Sequence, residues 1–209
     1  MAPADAAAER RRPPLIGLTG AIAAGKSEAL AALARLGAAT LSSDAVVHEL
    51  LGTPGVREQL VARWGGDVAP DGIVDRARVG AIVFERPEEL GWLESLLHPL
   101  VGRRIAGWVV GLTPDTPAAV VEVPLLFESE MDQVFDATLS VVAPDAARAE
   151  RARTRGTDLL AERSGRQLSQ DEKAARATFV VANDGSVGDL EAKLAELWPR
   201  LRAARRDDG

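Results

Sequence analysis

Gly20, Gly25, Lys26 and Ser27 fall in the order G-x-x-x-x-G-K-S within the stretch LIGLTGAIAAGKSEAL. That spacing suits a turn that grips phosphate. Glycines let the main chain approach an anion without a Cβ, and the N–H groups of the turn and of the following helix point at its oxygens. Lys26 would neutralise the β and γ phosphates of a nucleotide, and the hydroxyl of Ser27 would sit on a Mg²⁺ bridging them. The expected nucleotide site is therefore Gly20, Ala21, Ile22, Ala23, Ala24, Gly25, Lys26 and Ser27, with Glu28 directly behind. Nothing in these letters chooses adenine over guanine. A glycine turn that merely precedes a lysine is the competing reading, and the strand-to-helix context weighs against it.

A phosphate loop serves motors, switches and kinases alike, so an acceptor has to be sought elsewhere. Asp44 follows the second expected strand, where ligands gather outside the carboxyl ends of parallel strands. A carboxylate there can take the proton of an attacking hydroxyl, and it can equally cap a helix; the residues alone leave both open. In VVEVPLLFE, Glu122 ends another strand, where it can hold Mg²⁺ through water, while Glu128 also reads as a solvated residue at a helix start.

The elements that must position these groups follow from hydrophobic period. Leu15 to Thr19 is a short apolar run suited to a buried strand, and Ser27 to Leu36 repeats at helical spacing until Gly37. Further strands are expected at AATLS from Ala38, AAVVEV from Ala118, FDATLSVVA from Phe135 and TFVVAN from Thr178. A helix is expected from Asp44 to Leu51, and an amphipathic one from Val187 to about Ala204. Strands alternating with helices predict an α/β fold: a five-stranded parallel sheet in a three-layer P-loop arrangement. From 54 to 104 the pattern is helical, broken at GGD, PDG and RP, and reads as an insertion. The segment 145–176 is rich in Arg, Glu and Gln and reads as a solvated helical excursion, and residues 1–14 as a disordered tail. The nucleotide-binding core is thus 15–53 with 105–209.

Composition narrows the function classes. A net charge of -6 and a pI near 5.1 argue against a surface that grips nucleic acid. Cysteine is absent, so no thiolate metal site, disulfide or cysteine nucleophile exists, which suits a reducing, cytoplasmic setting. No run of about eighteen apolar residues is present, so neither a span nor a membrane partner is expected. The sequence does not set the oligomeric state; a monomer is the expectation.

The residues also resemble the dephospho-coenzyme A kinases, which look like relatives of the nucleoside monophosphate kinases. The resemblance runs from Leu15 to Leu190 through IGLTGAIAAGKS, SSDAVVHEL, PDGIVDRARVGAIVFERPEEL, LLHPLV, EVPLLFES and ERSGRQLSQDEKAARATFVVANDGS. His98-Pro99 followed by Pro124 to Glu128 is its most specific mark. It implies transfer of the ATP γ-phosphoryl group to the ribose 3′-hydroxyl of dephospho-CoA, with ATP and Mg²⁺ required. Asp44 then matches the proposed base, Lys26 the phosphate-neutralising lysine, and Arg151 and Arg155 the lid arginines that close over the phosphates, making 145–176 the lid. Ser27 and Glu122 match the Mg²⁺ supports. Asn183 and Gly185 match a loop near the adenine. The acceptor region 54–104 is matched too, and the substrate-binding set implied is Asp44, His48, Asp75, Arg76, His98, Leu126 and Glu128. Simpler accounts stand beside these: an exposed Asp75–Arg76 ion pair, His98 as a cap at a helix junction, solvated helix faces for the arginines, and a helix-starting turn for Asn183 and Gly185.

Several positions depart from the family pattern. Ala21, Ala23 and Ala24 replace glycines and serine in the loop, and an alanine held at positive φ costs roughly 1 kcal/mol or more. Ser42 stands where an acidic residue is common, leaving Asp44 alone for the proton. His48 stands where arginine is common, so a phosphate contact there would depend on pH. A kinase of the same architecture acting on another nucleoside or small alcohol is the alternative activity. A nucleotide-gated switch is disfavoured, because no NKxD motif occurs and DGIVD lies within the helical insertion.

Overall fold

A computed structural model describes residues 12–154 and 167–205. The chain divides into two compact units, one formed by residues 1–42 with 111–209 and the other by 43–110.

The first unit is built on five parallel strands: β1 (Leu15–Gly20), β2 (Ala39–Ser42), β3 (Ala119–Glu122), β4 (Ala137–Val142) and β5 (Phe179–Ala182), ordered β2-β3-β1-β4-β5. β1 is central and buried at every residue, the expected state of a strand paired on both sides within a covered sheet. Its side chains alternate between faces. Ile16 and Leu18 join one apolar cluster with Leu33 of α1 (Lys26–Arg35) and with Leu190, Leu194, Trp198 and Leu201 of α8 (Val187–Ala203). Gly17 faces the other way, toward Leu126 and Phe135, and a Cβ there would meet both at 3.0 Å. Among the described residues two further helices belong to this unit, α6 (Asp145–Thr154) and α7 (Gln170–Arg176), with α7 packed on β1 and β4. The end of the stretch read as a solvated excursion is anchored more deeply than its composition suggests, because Lys173 of α7 is completely buried. The tail is shorter than expected among the described residues. Arg12 pairs with Asp136, and the Pro14 carbonyl accepts from the Ala119 N–H at 2.8 Å.

The second unit is all helical among its described residues: α2 (Ser43–Leu51), α3 (Pro54–Trp64), α4 (Arg76–Glu85) and α5 (Pro87–Val110), with short 3₁₀ turns at 66–68 and 70–72. It is wider at both ends than the 54–104 read from sequence, because α2 packs on α5 and α5 runs unbroken to Val110. Arg86 is extended, as a residue before proline prefers, which ends α4; Pro87 then opens α5, where its missing N–H costs nothing. Along α5 the buried residues Glu89, Leu93, Leu97, Val101, Ile105 and Val109 recur every fourth position, one face of a helix. Leu51, Val56, Leu60, Val68 and Val79 pack with Leu93 and Leu97 to form the unit's core.

Candidate active site

The turn after β1 has the shape its glycines require. Gly25 has φ 101° and stands at the N-cap of α1, where a Cβ would lie 2.1 Å from the Asn183 amide nitrogen. At Gly20 a Cβ would meet the Val141 carbonyl at 2.5 Å. Neither position accepts a side chain. Of the three alanines, only Ala23 takes a left-handed conformation, at φ 60°, so the strain anticipated from sequence falls on this one residue.

The helix that follows receives no side-chain cap from Gly25, which leaves the amides of its first turn available to an anion. Lys26 reaches back to the Ala21 carbonyl at 3.1 Å. Ser27 is exposed at the start of α1. Glu28 points along the helix to Arg35, 3.4 Å away, in a solvent-facing pair. Asn183 follows β5 and is buried; its Nδ2 donates to the Ala24 carbonyl at 2.8 Å and its Oδ1 accepts from Arg151 at 3.5 Å. Arg151 therefore arrives from α6 beside the turn, and its Nη1 is buried with no hydrogen-bond partner among the described residues. Gly185 lies in the exposed turn that starts α8, where Ser186 and Asp189 form a capping box. The Ser186 hydroxyl and N–H hold the Asp189 carboxyl below its usual range, and Lys193 does the same to Asp184. A cavity of about 480 Å³ flanks the turn, lined by Ala21, Ile22, Asp145, Arg148 and residues 167–172.

Glu122 ends β3 in register with Leu18 of β1 and Ser42 of β2, and is buried. A buried carboxylate at a strand end and an exposed hydroxyl at Ser27 are hard oxygen donors, the kind Mg²⁺ accepts. These residues fit the ion.

The PLLFE segment behaves differently from the acceptor contact that the resemblance implied. Leu126 is fully buried and packs beside Gly17, with no surface to offer a ligand. Glu128 is not a solvated helix start. It accepts from the Leu168 N–H at 2.9 Å and pairs with the buried Lys173 ammonium at 2.9 Å, leaving Oε2 buried and without a hydrogen-bond partner among the described residues. Lys173 also donates to the Pro124 carbonyl at 2.6 Å, which Thr19 contacts at 3.3 Å. Sequence reading missed Lys173. A usable signal existed: only three of the 25 basic residues are lysines, at 26, 173 and 193, and each donates to a carbonyl, of Ala21, Pro124 or Ala182.

In the helical unit, Asp44 lies two residues beyond the end of β2. The helix starts at Ser43, so Asp44 occupies its first turn rather than the cap position, and it is exposed. A carboxylate there favours the positive end of the helix. His48 Nδ1 lies 2.6 Å from Arg76 Nη1, so that nitrogen accepts and the ring proton sits on Nε2. Asp75 caps α4, accepting from the N–H groups of Ala77 and Arg78 at 3.0 and 3.2 Å, and its ion pair is with Arg78 at 3.2 Å rather than with Arg76. His98 is exposed in the interior of α5, which continues through Pro99, so no helix junction exists for it to cap. Arg155 lies outside the described residues. Among the described residues no helix is long and apolar enough to cross a membrane.

Comparison with known proteins gives one consistent answer. A family model described as dephospho-CoA kinase matches residues 14–189. Curated relatives include a dephospho-CoA kinase of Frankia casuarinae, 38% identical over 92% of this chain and 85% of that one. Another, from Leifsonia xyli subsp. xyli, is 40% identical over 90% of this chain and 98% of its own. Among solved structures, TT1252 from Thermus thermophilus superposes with a TM-score of 0.78 at 32% identity, covering 91% of this chain and 99% of that one. A dephospho-CoA kinase from Campylobacter jejuni shares the fold, with a TM-score of 0.65 at 23% identity over 90% and 97% of the two chains. A glycine turn with uncapped amides on a parallel sheet, matched by this family's model over residues 14–189, has one reading: the chain belongs to the dephospho-CoA kinase family of phosphotransferases.

Proposed function

We propose that this enzyme transfers the γ-phosphoryl group of ATP to the ribose 3′-hydroxyl of dephospho-CoA, giving CoA and ADP, the last step of coenzyme A biosynthesis. The observation that carries the reading is the buried, unpartnered Nη1 of Arg151 beside the uncapped N-terminus of α1. A guanidinium nitrogen withdrawn from water without a partner is costly, and a polyphosphate supplies the missing acceptor.

The residue roles follow from charge. Amides of the turn and of α1 hold the phosphates, and the Lys26 ammonium leaves the Ala21 carbonyl to neutralise the terminal ones. Arg151 stabilises charge that spreads onto the equatorial oxygens during transfer. Ser27 and Glu122 would hold Mg²⁺, which when bound screens the phosphate oxygens. Asp44 takes the proton of the ribose hydroxyl, a weak nucleophile that needs alignment and a proton acceptor. Arg76, with His48 accepting one of its N–H groups, offers charge to the acceptor's anionic groups from the helical unit, together with Asp75 and His98. Compartment and assembly enter as the same reading: a cytoplasmic enzyme.

ADP release measured over a panel of ribose compounds and small alcohols tests the acceptor. Dephospho-CoA is expected to give the highest kcat/KM by a wide margin. Faster turnover of another nucleoside or alcohol would move the enzyme to the alternative activity.

A further inference from the structure

Three side chains donate to main-chain carbonyls of the turn. Lys26 Nζ donates to the Ala21 carbonyl at 3.1 Å, Arg148 Nε to the Ile22 carbonyl at 3.1 Å, and Asn183 Nδ2 to the Ala24 carbonyl at 2.8 Å. In a trans peptide the C=O and the following N–H point to opposite sides of one plane. A donor that holds the Ile22 oxygen therefore fixes the Ala23 N–H on the opposite side of that plane, and Asn183 does the same for the Gly25 N–H. Inward amides are what a phosphate turn offers its ligand.

The Ile22–Ala23 plane is the one least able to hold its orientation unaided. Ala23 sits at φ 60°, a region alanine avoids, and rotation of the preceding peptide is the route by which that strain would relax. Arg148 is placed to oppose it. Its Nη1 is braced on Asp145 at 2.8 Å, its own N–H is bonded to the Pro144 carbonyl at 3.0 Å, and three quarters of its side chain is covered, with 24% exposed.

We propose that Arg148 is a positioning residue of the nucleotide site: by holding the Ile22 carbonyl it sets the direction of the Ala23 amide, a service this chain needs because alanine rather than glycine occupies position 23. The inference rests on the turn being the ATP site. Calorimetric ATP binding separates the two, since a wild-type chain that binds no ATP would overturn both.

Given wild-type binding, Arg148→Met is expected to weaken ATP affinity and raise the KM for ATP by about tenfold, the loss of one charged hydrogen bond, with the KM for the acceptor little changed. Adding Ala23→Gly removes the strain, so the double variant should recover most of the affinity that Arg148→Met loses. The recovery is the decisive readout, because a glycine restores no charge and no contact to α6. Should Arg148→Met fail to fold, Arg148→Gln keeps a polar side chain too short to reach Ile22 and is read the same way. An unchanged KM for ATP in the single variant, or a loss that Ala23→Gly leaves untouched, overturns the proposal.

Discussion

At Asp44 the expected chemistry and the local structure meet in one side chain, and its removal separates them. The carboxylate is exposed in the first turn of α2 and caps nothing by position. Asp44→Asn is therefore expected to leave ATP binding within about twofold while lowering kcat by about a hundredfold or more, the usual contribution of a positioned base. Lys26→Ala should instead weaken nucleotide binding and turnover together; equal kcat in Asp44→Asn and wild type would remove the aspartate from the reaction. The two glycines of the turn were legible because backbone geometry demands them: Gly20 and Gly25 face neighbours at distances no Cβ tolerates. Other residues hid their roles. Glu128 looks like a surface acid until Lys173 and the Leu168 amide, far along the chain, close on it. Leu126 shares a motif with Glu128, yet the turn after β3 carries it into the core beside Gly17. Asp75 and Arg76 are neighbours in sequence but part company, one to cap α4 and one to meet His48.

Among the elements, α7 shows how a charged helix can be held by its one buried residue. Lys173 joins α7 to the segment after β3 through the Pro124 carbonyl and Glu128, and Pro124 in turn contacts Thr19, which precedes Gly20. Lys173→Met leaves the Glu128 carboxylate buried without its partner and is expected to cost about 3–5 kcal/mol in urea unfolding. Adding Glu128→Gln removes the stranded charge and should recover most of it. A single variant as stable as wild type would show the pair to be inert. Strands and helices themselves were largely readable, since short apolar runs and fourfold stripes dictate them. The unbroken α5 was not fully so: Pro99 suggested a junction after His98, but apolar packing of Leu93, Leu97, Val101 and Ile105 on either side of it outweighs one missing N–H.

On the scale of the whole molecule, two units with separate cores carry the proposed donor and acceptor functions, and the helical unit has its own acid sensitivity. The Arg63 guanidinium, and after it the Trp64 N–H, hold the Glu89 carboxyl below its usual range. A carboxyl depressed on folding binds fewer protons than in the unfolded chain, so its stabilisation is complete above the unfolded value of about 4.3 and fades as pH falls through the folded one. Glu89→Gln should lower stability near neutral pH and flatten the acid limb of a urea-midpoint profile; an unaltered limb would place the sensitivity elsewhere, with Glu172, Asp184 and Asp189 the next carboxyls held low. The division into units was visible in sequence as a long helical stretch between strands, whereas its limits at Ser43 and Val110 depend on how α2 and α5 pack. The reaction proposed for this enzyme is phosphoryl transfer to one hydroxyl. Incubating the enzyme with ATP, Mg²⁺ and dephospho-CoA, then examining the product by mass and ³¹P NMR, tests this most directly. CoA carrying the new phosphate on the ribose 3′-oxygen is predicted; ATP hydrolysed without a phosphorylated acceptor, or phosphate at another position, would contradict it.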